Sequence, residues 1–148
     1  MAALPGFDAS ETAIDERMLD GAEQLLGLKL PTAFRQIALA YDGSNGDAEF
    51  PLPDGEHDTS GSIGTWLSFL PWARGGVWSW LANWEEHDLP RRAVPIAENG
   101  CGDLLCLDYR NSDEPAVSFW FHELGGEGLY PIAADFSAWL ATVTAYEE

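Results

Sequence analysis

Three short apolar runs, Ala93–Ala97, Leu104–Tyr109 and Ala116–His122, are separated by Asn99-Gly100-Cys101-Gly102 and by Asn111-Ser112-Asp113-Glu114. Nothing else in the chain leaves the backbone so little choice. Asn, Gly, Ser and Asp clusters of this kind reverse the chain between strands, so the pattern predicts three neighbouring antiparallel strands. In the third run Val117, Phe119 and Phe121 fall on one side, and Ser118, Trp120 and His122 on the other, because side chains alternate along a strand. Helices elsewhere in the chain are expected to cover one face of this sheet.

The first third supplies two of those helices, over residues 8–43. Asp8 followed by Glu11 has the spacing of a capping box. Ile14, Met18, Ala22, Leu25 and Leu26 recur at helical spacing, with Asp15, Glu16, Asp20 and Glu23 opposite them. Gly27 is a natural stop, Pro31 suits the first turn of the next helix, and Gly43 ends it. Phe34, Ile37, Ala38 and Tyr41 give the second helix its apolar stripe. From Ser44 to Gly64 the chain is rich in Gly, Pro, Asp and Ser, with one extended piece at Glu49–Leu52. Trp66–Phe69 fits another strand, whereas Val77–Trp84 suits a short helix or a strand, since periodicity does not separate them. Ala134 to Tyr146 reads as a closing helix with Phe136, Trp139, Leu140 and Val143 on one face. Two helices, a mostly antiparallel sheet of short strands and a final helix packed on that sheet make an α+β fold. With 148 residues and no linker or repeat, residues 1–148 are expected to form a single domain.

Charge limits the partners. Asp and Glu number 25 against 7 Lys and Arg, a net −18. Residues 1–74 carry 12 acids and 4 bases, and residues 75–148 carry 13 and 3, so the acidity belongs to the whole body rather than to a tail. Such a surface repels phosphate backbones and anionic membranes. It attracts a basic protein, and it also serves simply to keep a small protein soluble. A hydrophobic content of 46% argues for a packed core despite the charge. Met1 to Ser10 lacks the basic and apolar segments of a secretory signal. Trp66 to Trp84 is interrupted by Pro71, Arg74 and Gly75-Gly76, and so lacks the ~20 apolar residues of a spanning helix. Cys101 and Cys106 are too few for a disulfide scaffold or a zinc cluster, and are expected to be reduced thiols in a cytoplasmic protein.

Motifs of catalysis are scarce. Glu-His-Asp occurs at 56–58 and 86–88, a ligand set suited to zinc or iron, but three consecutive residues do not converge on one ion. His122-Glu123 at a strand end lacks an evident orienting group and nucleophile. No nucleophile elbow, phosphate loop or dinucleotide fingerprint is present, and Gly125-Gly126-Glu127-Gly128 reads as a turn. The expectation is a protein without enzymatic activity, metal or cofactor. Five of the seven tryptophans lie between Trp66 and Trp84. Trp66, Trp78 and Trp80 are expected in the core, and Trp72, beside Pro71 and Arg74, partly exposed.

Taken in order, several landmarks resemble the SUKH superfamily, which contains fungal regulators of cell-wall glucan synthesis and bacterial immunity proteins of polymorphic toxin systems. Leu26-Gly27-Leu28-Lys29-Leu30-Pro31-Thr32-Ala33-Phe34-Arg35, with Tyr41-Asp42-Gly43-Ser44-Asn45-Gly46 after it, is similar to the family's helix–Gly–Leu–Pro–aromatic signature. Val94-Pro95-Ile96-Ala97, Asn99-Gly100-Cys101-Gly102-Asp103 and Leu104-Leu105-Cys106-Leu107-Asp108 resemble its strand pair. Val117 to Glu123 is similar to the strand ending in His-Glu, and Phe136-Ser137-Ala138-Trp139-Leu140 to the closing helix. The landmarks run from Ile14 to Val143, and Ser44 to Pro90 departs from the pattern.

The resemblance implies a non-enzymatic immunity protein that blocks a toxin, such as a nuclease, encoded nearby. The acidic surface would fill the toxin's basic cleft in place of phosphate. A monomer or weak dimer is expected. The expected contact surface is the divergent middle: Asp54, Glu56, Asp58, Trp72, Glu85, Glu86 and Asp88. Competing readings are a regulatory scaffold, a carbohydrate-binding module built on the tryptophans, and a metal enzyme built on Glu56, His57, Asp58, Glu86 and His87.

Overall fold

The computed structural model describes residues 3–9, 12–52 and 60–146. Along the chain these form α1 (Glu16–Leu26), α2 (Thr32–Tyr41), β1 (Asn45–Pro51), β2 (Ser60–Trp66), α3 (Val77–Ala82) and α4 (Trp84–His87). β3 (Ala93–Glu98), β4 (Leu104–Asp108), β5 (Ala116–Trp120), a 3-10 segment over His122–Glu127, β6 (Leu129–Ala133), α5 (Phe136–Leu140) and β7 (Thr144–Ala145) follow. The strands make one antiparallel sheet in the order β6-β5-β4-β3-β2-β1-β7. The α+β class and the β3–β4–β5 meander match the reading of the sequence.

The sheet is strongly curled. Phe50 on β1 and Phe119 on β5 are four strand spacings apart in sheet order, ~19 Å if the sheet were flat. Their ring centroids nevertheless lie 5.5 Å apart. Curling brings the inner-face side chains together around Trp66, which packs on Phe34 of α2 and on Phe136 and Trp139 of α5. Register places Trp66, Ala97, Leu105 and Phe119 on this one face. The indole N–H groups of Trp66 and Trp139 are buried there without a hydrogen-bond partner. Aromatic volume outweighs their polarity.

Helices do not keep to one face. Trp120 points away from Phe119, and its ring meets Trp80 of α3 edge-on at 6.3 Å. All five residues of β4 are consequently buried, as expected for a strand covered on both sides. On this reverse face Asp108 is 5% exposed and carries its charge inside. It receives two guanidinium bonds from Arg110, at 3.0 and 2.9 Å, and the hydroxyl of Ser118 at 2.7 Å. Burial alone would push this carboxyl up; the bonds from Arg110 and Ser118 outweigh it and hold the group below the usual aspartate value. Asp42, at the end of α2, shows the opposite balance. Burial raises it above that value, although it accepts bonds from the Ser68 hydroxyl and the Phe69 N–H.

Four local expectations are corrected. Asp15, not Asp8, caps α1, accepting the Met18 N–H at 3.0 Å. Leu25 lies off the buried stripe and is 78% exposed. Pro31 stands just before α2 as its N-cap residue. The closing helix ends at Leu140, and the chain continues into β7, which pairs with β1. β7 leaves one residue doubly clasped: the Asp47 N–H donates to the Gly6 carbonyl at 3.1 Å, and the Asp47 carbonyl accepts the Tyr146 N–H at 3.0 Å.

Candidate functional site

The loop before α3, α4 and the residue that caps it carry the described residues of the expected contact surface. Trp72 is 75% exposed, as expected of the loop that follows Pro71. Trp66 is fully buried, whereas Trp78, Trp80 and Trp84 are partly covered. Trp78 donates its indole N–H to the Phe69 carbonyl at 2.8 Å, which fixes α3 against the end of the preceding segment. Glu85 and Glu86 are exposed on α4. Asp88 is exposed but engaged: its carboxylate accepts the Gly126 N–H at 2.9 Å. A Cβ on Gly125 would come within 2.4 Å of that same carboxylate, so the glycine turn exists to let Asp88 approach. Asp54, Glu56, His57 and Asp58 lie outside the described residues.

Among the described residues His87 meets no partner carboxylate; its ring lies 4.5 Å from that of Trp80. Among the described residues no three His, Cys, Asp or Glu side chains come together as metal ligands. His122, on the other hand, has the orienting group that the sequence hid. Asp103 accepts both the His122 backbone N–H at 3.0 Å and a contact from Nδ1 at 2.7 Å. Asn99 takes the turn amides, those of Cys101 and Asp103. Gly102 has a φ of +98°, and a Cβ there would press on the imidazole at 3.2 Å. His122 therefore locks the β3–β4 hairpin to the end of β5. Cys101 is an exposed free thiol nearby in the same hairpin, and Cys106 a buried one whose burial raises it.

The grooves lie elsewhere, at the α1–α2 corner. A groove of about 780 Å3 is bordered by Asp20, Glu23, Asp113 and Glu114, with Lys29 its one cation among the described residues. A neighbouring one of about 430 Å3 shares Lys29, Asp113 and Glu114 and reaches Asp135 and Phe136. A third, of about 250 Å3, lies between the end of α1 and the turn into β3. In the sequence the α1 acids lie opposite an apolar stripe and 111–114 forms a turn, and neither pattern signals that they meet. What joins them is the Tyr109 hydroxyl, which donates to the Lys29 carbonyl at 2.6 Å across 80 residues.

Three of the seven basic residues, Arg35, Arg92 and Arg110, are paired with acids of the same chain. Arg35 bonds Asp20 at 2.9 Å and Glu23 at 3.1 Å and also grips Glu16, tying α1 to α2. Arg110 is taken by Asp108, and Arg92 contacts Asp113 at 3.3 Å. The residual surface is thus more one-signed than composition alone states.

The chain matches the sequence model of the SMI1 / KNR4 family (SUKH-1) over residues 13–142. A comparison with curated proteins returns no match. The match covers most of the chain, and the chain belongs to the SUKH-1 family.

Proposed function

From that membership we propose that the protein is an immunity-type binder: it neutralises a toxin domain encoded beside it by direct contact through its acidic surface, without catalysis. The carrying observation is the excess of 25 acids over 7 bases, of which Arg35, Arg110 and Arg92 are already paired within the chain, so that most exposed carboxylates have no basic partner to offset them. A basic nucleic-acid cleft, the kind a nuclease toxin presents, is the natural complement. Within the expected surface, Trp72 is the exposed anchor and Glu85 and Glu86 the steering charges, with the 54–58 acids as further candidates. The setting proposed is the cytoplasm, as a monomer or weak dimer. No helix among the described residues is long and apolar enough to cross a membrane.

The test is co-expression and calorimetry with the neighbouring toxin domain. A complex whose association slows about ten-fold between low and moderate salt is expected, as for steered charge pairs. Glu85→Lys with Glu86→Lys should slow association and flatten the salt dependence; Asp88 is left intact because it also holds Gly126. No complex would end the immunity reading. Unchanged association by the double variant would move the interface away from α4. A regulatory scaffold in the manner of the fungal members is the second reading, since the same family membership favours it. The sugar-binding reading loses ground: of the five tryptophans between Trp66 and Trp84, only Trp72 is fully exposed, so the stacked aromatic platform is not assembled there.

A further inference from the structure

We propose that the third groove is a docking pocket for an acidic, apolar peptide segment of a partner protein. Its walls are Leu26 and Leu28 from the α1–α2 corner and Leu81 and Trp84 from α3 and α4, and its rim carries Arg91 and Arg92. Buried Ala93 and Val94 close the floor. Among the described residues no carboxylate lines it, in a chain where acids outnumber bases 25 to 7. That local inversion of charge defines the occupant.

Arg91 is exposed, and its guanidinium carbon sits 4.2 Å over the Trp84 ring centroid. Among the described residues it has no carboxylate partner, unlike Arg35, Arg92 and Arg110. A guanidinium stacked on an indole keeps its edge N–H groups free for a carboxylate. Arg92 is held by a bond from its Nε to the Tyr109 carbonyl at 2.8 Å and is met by Asp113 at 3.3 Å, so the uncommitted charge at the rim is that of Arg91. Arg92 sits at a φ of +65°, a conformation uncommon for a residue with a side chain. At about 250 Å3 the pocket is smaller than the roughly 300–1,000 Å3 of small-molecule sites. It fits one large aliphatic or aromatic side chain, the anchor of a longer segment, with an adjacent acid on Arg91. A second copy of this chain is a poor occupant, because two bodies of −18 repel each other. The inference does not depend on the toxin reading and is tested without a toxin.

The probe is a random dodecapeptide display library selected on the whole chain, followed by titration of the recovered peptides into 15N-labelled protein. Recovered sequences should pair Leu, Phe or Trp with neighbouring Asp or Glu. They should shift the Trp84 indole and Arg91 Nε signals saturably. Arg91→Glu should weaken them at least ten-fold; because the residue is exposed, the melting temperature should hold. Leu81→Ser, with its fold checked by circular dichroism, should also weaken them. Recovery of no peptide, of Lys- and Arg-rich peptides, or of peptides bound equally by Arg91→Glu would overturn the proposal.

Discussion

Two regions use the same residue for opposite ends. In the curled sheet and α5, Trp66 and Trp139 are sealed from solvent and stack at 6.3 Å. In the segment that leads through α3 and α4, Trp72 stands almost free and Trp84 lies under an arginine. The sheet spends its aromatics on a single packed interior; the α3–α4 segment spends them on surfaces. A tryptophan-rich sequence therefore marks neither core nor interface until the neighbours of each ring are known.

The hardest way to break this contrast is truncation. Trp66→Ala or Trp139→Ala should cost about 3–5 kcal/mol, as large core deletions do. Trp72→Ala should stay within about 0.5 kcal/mol. Urea unfolding of the three variants measures both arms, and comparable losses at Trp66 and Trp72 would abolish the distinction. Next comes the charge inside the sheet. Asp108→Asn should cost about 2–3 kcal/mol at neutral pH, where ionised hydrogen bonds are lost. Because the folded carboxyl sits below the ordinary 3.8, its stabilisation is present above that pH and fades as pH falls through the folded value. The gap between Asp108→Asn and the parent should thus close in acid. Asp42, raised by burial, has the opposite sign: its ionisation opposes folding, and that penalty grows as pH rises from 3.8 through its folded value. Stability curves from pH 3 to 7 for both Asn variants separate the two. The smallest effect belongs to the α3–α4 side. Asp88→Ala should cost about 1 kcal/mol by freeing the Gly126 N–H, with faster amide exchange at Gly126.

Much of the sheet was legible because its turns are chemical events in the sequence. Asn99 and the glycines after it reverse the chain whatever surrounds them. β6 was missed, since Leu129-Tyr130-Pro131-Ile132-Ala133 is short and holds a proline, which suits an edge strand but weakens the pattern. The closing helix was drawn too long because Val143 continued its apolar stripe. Thr142, Val143 and Thr144 were the contrary signal: three β-branched residues in a row favour extension, and β7 follows. Asp15 displaced Asp8 as the cap because three residues after it the chain is already helical. The site was harder to see. Trp72 could be singled out from Pro71 and Arg74 beside it, but the α1–α2 grooves unite Asp20, Lys29 and Asp113, which are distant in sequence and meet only once Tyr109 is bonded to Lys29.

The double clasp on Asp47 has a mechanical consequence. Gly6 and Tyr146 hold the N–H and the carbonyl of one residue at the rim of the sheet, so tension applied between residues 6 and 146 enters the fold at a single point. Load arriving there opens bonds one after another, like a zip pulled from its end, instead of shearing a whole ladder at once. β7 and β1 would peel away at low force, while the β3–β4–β5 meander, remote from both grips, would give way last.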